Sequence, residues 1–210
     1  MKKGCILCLL ISVISLPLIA QNVIYSNLKE LLAQHGDTTA VLRIEKRSRN
    51  QIVLTGGADY RITAGDDESM CRRLKKRCFA VRDEKGDLYL NCRKLRYKKL
   101  RFGAWYAPAV QLGKNIYFCA MPLGSVIGGN FVEEDDVKLG GNIGDALAAS
   151  SLVTKRVCYE LNGETGKVDF LGKDKMLQLL KNDPELRQAY LNDDSQEAKH
   201  TFKYLLELRN

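Results

Sequence analysis

The densest chemistry in this sequence is a run of basic residues interleaved with aromatic rings. Between residues 93 and 102, six lysines and arginines are mixed with apolar residues that include Tyr97 and Phe102, and Trp105 follows closely. Cations neutralise phosphate, sulfate or carboxylate groups, and neighbouring rings stack on bases or sugars. The run therefore predicts a polyanion-binding site, made of Arg93, Lys94, Arg96, Lys98, Lys99 and Arg101.

A solvated edge strand would explain the same run without any ligand. The strand face that holds Leu88, Leu90 and Cys92 continues with lysine and arginine from residue 94 onward. Basic side chains on an edge strand prevent edge-to-edge pairing with other chains. The change of face also predicts a bulge or a break in the strand near residue 93. Both interpretations, a polyanion site and a protective edge, are open.

The charge of the chain is unevenly distributed. The whole chain carries a formal net charge of +8, whereas residues 72–101 alone hold thirteen lysines and arginines against three acidic residues. Such an imbalance indicates a polyanionic partner.

The first twenty residues indicate where that partner is met. A short positive start and an apolar run end at Ala20, which is typical of a secretory signal peptide over residues 1–20. The run is too short for a membrane-spanning helix, and no later stretch is long enough. We therefore expect an exported protein, periplasmic or extracellular. The expected partners are an anionic glycan, lipopolysaccharide or another lipid head group, or an acidic protein, and nucleic acid is disfavoured.

No catalytic residue, metal site or cofactor is predicted. His35 and His200 lie far apart in the sequence and are expected at the surface, and the acidic run at 133–136 is expected to be a solvated loop. A hydrolase of an envelope polymer is the alternative, because catalytic carboxylates are usually distant in sequence. The glycine-rich loop at 124–144 would then be its lid.

Five cysteines follow residue 20, so at least one is unpaired within the chain. Cys71 and Cys78 lie in one predicted helix, where seven residues separate Cα atoms by roughly 10 Å, more than the ~7 Å that a disulfide spans. Cys92, Cys119 and Cys158 lie in strand-like stretches, where cysteine is most often a small buried apolar residue. The sequence favours buried thiols over a disulfide framework and leaves the pairing open.

Periodicity predicts the elements that position the basic run. An amphipathic helix is expected at 23–35, strands at 41–46, 51–55 and 60–63, and a basic helix at 68–76. Three hairpins are expected, pairing 79–82 with 88–92, 106–112 with 116–121, and 157–161 with 167–171. Pro108 would make its strand an edge or bulged strand. Helices are expected at 145–153, 174–181, 184–192 and 195–208. This order predicts a single α+β domain over 21–210 with a mainly antiparallel sheet, an N-terminal helix and a C-terminal helical segment.

Three short stretches carry a resemblance to a known group of proteins. They are Leu90-Asn-Cys-Arg-Lys-Leu-Arg, Trp105-Tyr-Ala-Pro and Ile116-Tyr-Phe-Cys-Ala. With the signal ending, they resemble exported hypothetical proteins of Bacteroidetes that are grouped as domains of unknown function. The resemblance covers most of the chain after residue 20. It implies export to the cell envelope and brings no catalytic residues with it.

Overall fold

The computed structural model describes residues 21–39, 41–122, 125–127, 130–132, 155–193 and 197–209. The predicted signal peptide and the predicted helix at 145–153 lie outside these residues. The strands are β1 (Asn22–Tyr25), β2 (Asp37–Thr39), β3 (Arg43–Lys46), β4 (Tyr60–Thr63), β5 (Ala80–Arg82), β6 (Leu88–Asn91), β7 (Arg96–Tyr97), β8 (Leu100–Arg101), β9 (Tyr106–Leu112), β10 (Asn115–Ala120), β11 (Ser125–Ile127), β12 (Asn130–Val132), β13 (Val157–Leu161) and β14 (Val168–Phe170). The helices are α1 (Leu28–Leu32), α2 (Arg49–Thr55), α3 (Glu68–Lys76), α4 (Lys173–Leu179), α5 (Pro184–Asn192) and α6 (Ala198–Arg209).

An antiparallel sheet forms the centre of the fold. Its strands follow the order β14-β13-β10-β9-β6-β5-β1-β2, and β4 pairs with both β3 and β9. The three predicted hairpins are β5–β6, β9–β10 and β13–β14. The predicted fold class, α+β with a mainly antiparallel sheet, is confirmed.

Both faces of the sheet are buried. On one face, α1 and the β7–β8 hairpin cover a core that contains Leu31, Leu90, Phe118 and Tyr159. On the other face, α3 covers a smaller core around Leu74, and the C-terminal helices α4 to α6 cover a second one. Burial on both faces explains why several strands are apolar at successive positions.

The helix predicted at 23–35 is wrong in its first half. Residues 22–25 form β1, which pairs with β2 and β5, and only Leu28–Leu32 is helical. Ile24 and Tyr25 are both buried, on opposite faces of the sheet. Pairing on both sides therefore outweighs the helical spacing of the apolar residues. Asn27 caps the start of this helix, because its side chain accepts a hydrogen bond from the Glu30 backbone N–H.

The strand predicted at 51–55 is also wrong. Residues Arg49–Thr55 form α2, because Ser48 and Gln51 make a reciprocal capping box at its start. The strand predicted at 41–46 is confirmed in a shorter form, Arg43–Lys46.

Pro108 lies in a central strand, which corrects the prediction of an edge. β9 runs between β6 and β10, and Pro108 pairs with Tyr89 of β6. The ladder between β9 and β10 ends at Ala109, next to the proline. At Pro108, β9 is therefore in register with β6 alone. The N–H that proline lacks interrupts no registered pair with β10.

A disulfide joins two neighbouring strands. Cys119 of β10 and Cys158 of β13 are directly opposite each other, with Cα atoms 4.3 Å apart, and their sulfur atoms are bonded. Sequence reasoning placed both in strands but favoured free thiols. The bond closes a loop with a sequence separation of 39 residues.

The glycine-rich segment 124–144 lies largely outside the described residues. Within it, Ser125–Ile127 and Asn130–Val132 pair as the antiparallel strands β11 and β12, where a loop was predicted. Among the described helices, none has the length and hydropathy needed to cross a bilayer.

The cysteines provide a direct test of this arrangement. In protein that begins at Gln21, we expect three thiols to react after denaturation without reductant, from Cys71, Cys78 and Cys92. Burial raises the pKa of Cys78 to about 11 and of Cys92 to about 12. Because the thiolate is the reactive form, only Cys71 should react rapidly with an aromatic disulfide reagent at pH 8 in the folded protein. Five reactive thiols after denaturation would contradict the disulfide.

Removing the disulfide should lower stability without changing the number of free thiols. We expect C119A/C158A to lose about 2–4 kcal/mol in the free energy of unfolding, because the unfolded chain is no longer restricted by the closed loop. Urea denaturation measures the loss. The C71A variant, which alters a half-exposed free cysteine, is the control and should be nearly unchanged.

Candidate functional site

The six residues predicted to bind a polyanion come together on one small hairpin. Strand β6 ends in a 3₁₀ turn at Cys92–Lys94, and the chain then forms the two-stranded hairpin β7–β8. The predicted break near residue 93 is therefore confirmed. All six side chains are exposed: Arg93, Lys94, Arg96, Lys98, Lys99 and Arg101. We call these six residues the basic hairpin.

Apolar residues of the same segment fix the direction of these cations. Leu95, Tyr97 and Phe102 are buried in the core on one face of the sheet. The Phe102 ring lies 4.8 Å from the ring of Tyr159 and 5.3 Å from that of Phe118, measured between centroids. With the apolar side chains inserted, the alternating lysines and arginines can only point to solvent.

The cations of the basic hairpin make no close ion pairs with the acids that the structure describes. Within the described part of the chain, none of its six side chains forms an ion pair within 4.0 Å. The Lys98 ammonium lies 5.6 Å from the Tyr97 ring centroid, a cation–π contact. Concentrated charge of one sign attracts ligands of the opposite sign.

Helix α3 continues the positive surface beyond the hairpin. Its exposed cations are Arg72, Lys75 and Lys76, and Arg77 follows at its end. The side-chain N–H groups of Asn91 donate to the carbonyls of Leu74 (3.1 Å) and Cys78 (2.9 Å). Since Asn91 also accepts a hydrogen bond from the Arg93 backbone N–H at 3.1 Å, the end of α3 and the start of the basic hairpin are held side by side.

A partly open pocket of about 390 Å³ lies between α3, the β3–β4 pair and the 3₁₀ turn. Its lining residues include Arg43, Arg61, Lys75, Arg93 and Trp105. The volume falls in the range of small-molecule sites, roughly 300–1,000 Å³. We call it the Trp105 pocket.

The backbone of Trp105 has a positive φ of 77°, which is rare for a bulky residue. The carbonyl of Ala104 accepts from the Ala58 N–H, and the carbonyl of Trp105 accepts from the Cys92 N–H, both at 2.9 Å. Gly57 packs so closely that a Cβ there would lie 2.4 Å from the Ala104 oxygen. The strained conformation is therefore held by contacts on both sides.

The buried guanidinium of Arg47 supports the same tryptophan. It lies 5.1 Å from the Trp105 ring centroid. Its N–H groups donate to the carbonyls of Gln51, Gly56 and Ala58 and to the Thr55 hydroxyl, at 2.5–2.9 Å. Burial lowers the pKa of Arg47, an effect that neighbouring Asp59 opposes. A single cation thus organises α2 and the loop after it around the indole.

A family model matches residues 23–210, and it describes a family of unknown function, DUF6563. The chain belongs to this family. The resemblance to domains of unknown function is confirmed in that general form. No match was found among curated proteins or among solved structures.

In this member of the DUF6563 family, sequence reasoning predicted the basic hairpin but missed the Trp105 pocket. Arg43 and Arg61 come from neighbouring strands, and Lys75 comes from a helix. Each is one cation in a segment without a distinctive local pattern, and only the pairing of β3 with β4 brings the first two together. Gly103, two residues before Trp105, was the available sequence signal.

The structure does not bring the two histidines together. His35 follows α1 on one face of the sheet, whereas His200 belongs to α6 on the other. The Nδ1 atom of His200 lies 3.1 Å from a carboxylate oxygen of Asp193. Over the described residues, no group of three or more His, Cys, Asp or Glu side chains could hold a metal ion.

The role of Arg47 can be tested by its removal. We expect R47M to lower the free energy of unfolding by about 2–4 kcal/mol, because several buried or half-buried oxygen acceptors lose their donor. Urea denaturation gives the value. R49M, at the exposed first residue of α2, should stay within about 0.5 kcal/mol of the wild type. Equal, small losses in both variants would show that the network is unimportant.

Proposed function

We propose that this protein is an exported, non-catalytic binding protein whose basic hairpin docks on an anionic glycan of the cell envelope. The observation that carries the proposal is the geometry of the hairpin. Six exposed cations lie on two short strands, on the turn between them and on the preceding 3₁₀ turn. Within the described residues, none of them forms an ion pair within 4.0 Å, and Lys98 interacts only at longer range with Asp169.

The shape of the run supports binding over edge protection. β6, from which the run continues, lies between β5 and β9 inside the sheet. The run leaves the sheet at the 3₁₀ turn and forms a separate two-stranded hairpin beside β14, so its cations do not lie on an edge strand of the main sheet itself. Repulsion among six closely spaced cations is unfavourable for the isolated protein, and an anionic ligand would relieve it.

Two features support export. Residues 1–20 have the composition of a signal peptide, and the disulfide between Cys119 and Cys158 is of a kind that persists in oxidising compartments. We place the protein in the periplasm or outside the cell, in a bacterium of the Bacteroidetes type, as the sequence resemblance implies. In that setting an anionic polysaccharide, including lipopolysaccharide, is a more accessible polyanion than nucleic acid.

The hairpin can be tested by charge reversal. We expect protein beginning at Gln21 to bind immobilised dextran sulfate and to lose binding steeply between about 0.05 and 0.5 M NaCl, because salt screens exposed charges. The variant R96E/K98E/K99E/R101E should bind at least about tenfold more weakly. Surface plasmon resonance measures both.

A matched control separates this site from net charge. The variant K173E/K181E/R187E/K203E changes the charge by the same amount at exposed positions of the C-terminal helical segment. It should bind much more tightly than the hairpin variant. Equal weakening in both variants would reject the hairpin as the docking site, and absence of binding by the wild type would reject the glycan proposal.

Binding to vesicles with anionic lipids alone would assign the surface to a lipid head group, and capture of an acidic protein alone would assign it to a protein partner.

Hydrolysis of the same polymer is the second candidate function. The observation in its favour is that two carboxylates, Glu45 and Asp66, line the Trp105 pocket. Paired carboxylates are the usual catalysts of glycoside hydrolysis. If the protein is a hydrolase, it should release reducing ends from an acidic polysaccharide, and E45Q and D66N should each stop the release. No release by the wild type leaves the pocket with a binding role.

A further inference from the structure

We propose that the Trp105 pocket is a subsite for one acidic sugar, a pyranose that carries a carboxylate, sulfate or phosphate group. This inference rests on the proposed function, because it names the part of the glycan that the protein recognises. The basic hairpin would attract the polymer, and the pocket would select a particular unit of it.

The first support is the aromatic surface of the pocket. Trp105 is half-buried, and two guanidinium groups, from buried Arg47 and exposed Arg61, lie 5.1 and 5.7 Å from its ring centroid. A strained backbone that is maintained by several contacts is most often found at binding sites. The exposed part of the indole can pack against the C–H groups of a pyranose ring. Arg61 lies beside it and would meet an anionic group of the same sugar.

The second support is the convergence of cations from separate elements. Arg61 comes from β4, Lys75 from α3 and Arg93 from the 3₁₀ turn, and all three line the pocket. None of the three forms an ion pair with an acid in the described residues. Arg43 differs, since its Nε atom lies 3.6 Å from a Glu45 carboxylate oxygen. Three cations without a close ion pair around one pocket suit an anionic substituent.

The third support is the presence of hydrogen-bond acceptors among these cations. Glu45, Asp66 and Thr63 also line the pocket. Ionised carboxylates only accept hydrogen bonds, so they would repel a ligand that presents only phosphate or sulfate oxygens. Sugar hydroxyl groups donate hydrogen bonds and would satisfy them. The mixture of carboxylates and cations therefore favours a ligand that has both hydroxyl and anionic groups.

Arg93 connects the pocket to the basic hairpin. It lines the pocket and is also the first of the six hairpin cations. A polysaccharide bound along the hairpin can therefore place one of its sugars beside Trp105 without leaving the positive surface.

The pocket contains its own reporters. Trp105 is the single tryptophan of the chain, so its fluorescence reports on the pocket alone. The half-exposed thiol of Cys71 also lines the pocket. The experiment titrates protein beginning at Gln21 with glucuronate, glucose 6-sulfate, glucose 6-phosphate and neutral glucose. It follows Trp105 emission and the rate of Cys71 alkylation by iodoacetamide.

We expect saturable changes in emission with at least one acidic sugar and none with glucose at the same concentration. The same sugar should slow alkylation of Cys71. The variant R61Q/K75Q, which removes two exposed cations of the pocket, should weaken the response at least about tenfold. K173Q/K181Q removes the same charge at exposed positions on the C-terminal helical segment and should respond as the wild type does. The sugar that binds most tightly identifies the anionic group.

The outcomes separate this inference from the proposed function. If dextran sulfate binds through the hairpin while no acidic sugar changes the emission or protects Cys71, the pocket inference is wrong and the docking function stands. If acidic sugars respond while the polymer does not bind, the pocket stands and the hairpin proposal is wrong. Equal responses to glucose and the acidic sugars would also overturn the inference, because the cations would then have no part in recognition.

Discussion

The basic hairpin and the exposed cations of α3 are held next to each other by one buried amide, the side chain of Asn91. Asn91 is 2 % exposed, and its side-chain amide makes three hydrogen bonds to backbone groups: it donates two and accepts one. One of those bonds holds the Leu74 carbonyl of α3 and a second holds the Cys78 carbonyl just after the helix. The third fixes the start of the 3₁₀ turn that leads into the basic hairpin. The Tyr106 hydroxyl donates to the same Leu74 carbonyl at 2.8 Å. Aspartate could not replace the amide, because it cannot donate to two carbonyls. Without this junction, the cations of the helix and those of the hairpin would belong to independent segments.

Sequence reasoning worked where structure is decided locally. The β5–β6, β9–β10 and β13–β14 hairpins each join neighbouring strands through a turn with recognisable residues, and Asp183 caps the proline-initiated helix α5 as its sequence indicates. It failed where a distant partner decides. Residues 22–25 have helical spacing, yet they become a strand because residues 37–39 and 80–82 offer backbone partners on both sides. In contrast, the error at 51–55 was avoidable, since Ser48 and Gln51 form a capping box that the sequence displays.

The candidate site divides in the same way. The basic hairpin is contiguous in sequence, so its charge and its alternation with buried residues are visible without a structure. The Trp105 pocket is assembled from β3, β4, α3 and the 3₁₀ turn, and no one segment carries a signature. Even the conformation of Trp105 depends on Gly57, whose closeness is evident only after folding. A site of this kind is built by the topology, and the sequence shows only its separate parts.

The link between Cys119 and Cys158 has a consequence for how the chain can vary. β10 ends one residue after Cys119 and β13 begins one residue before Cys158, and the Cα atoms of the two cysteines are 4.3 Å apart. A covalent bond between β10 and β13 means that the sheet does not rely on the residues between the two cysteines to keep these strands in register. Closing a longer loop costs only a little more entropy, and inserted segments are tolerated best where both ends are fixed close together. Relatives could therefore lengthen, shorten or exchange this stretch while the cores beneath the strands stay intact, which makes it the part of the molecule freest to diversify.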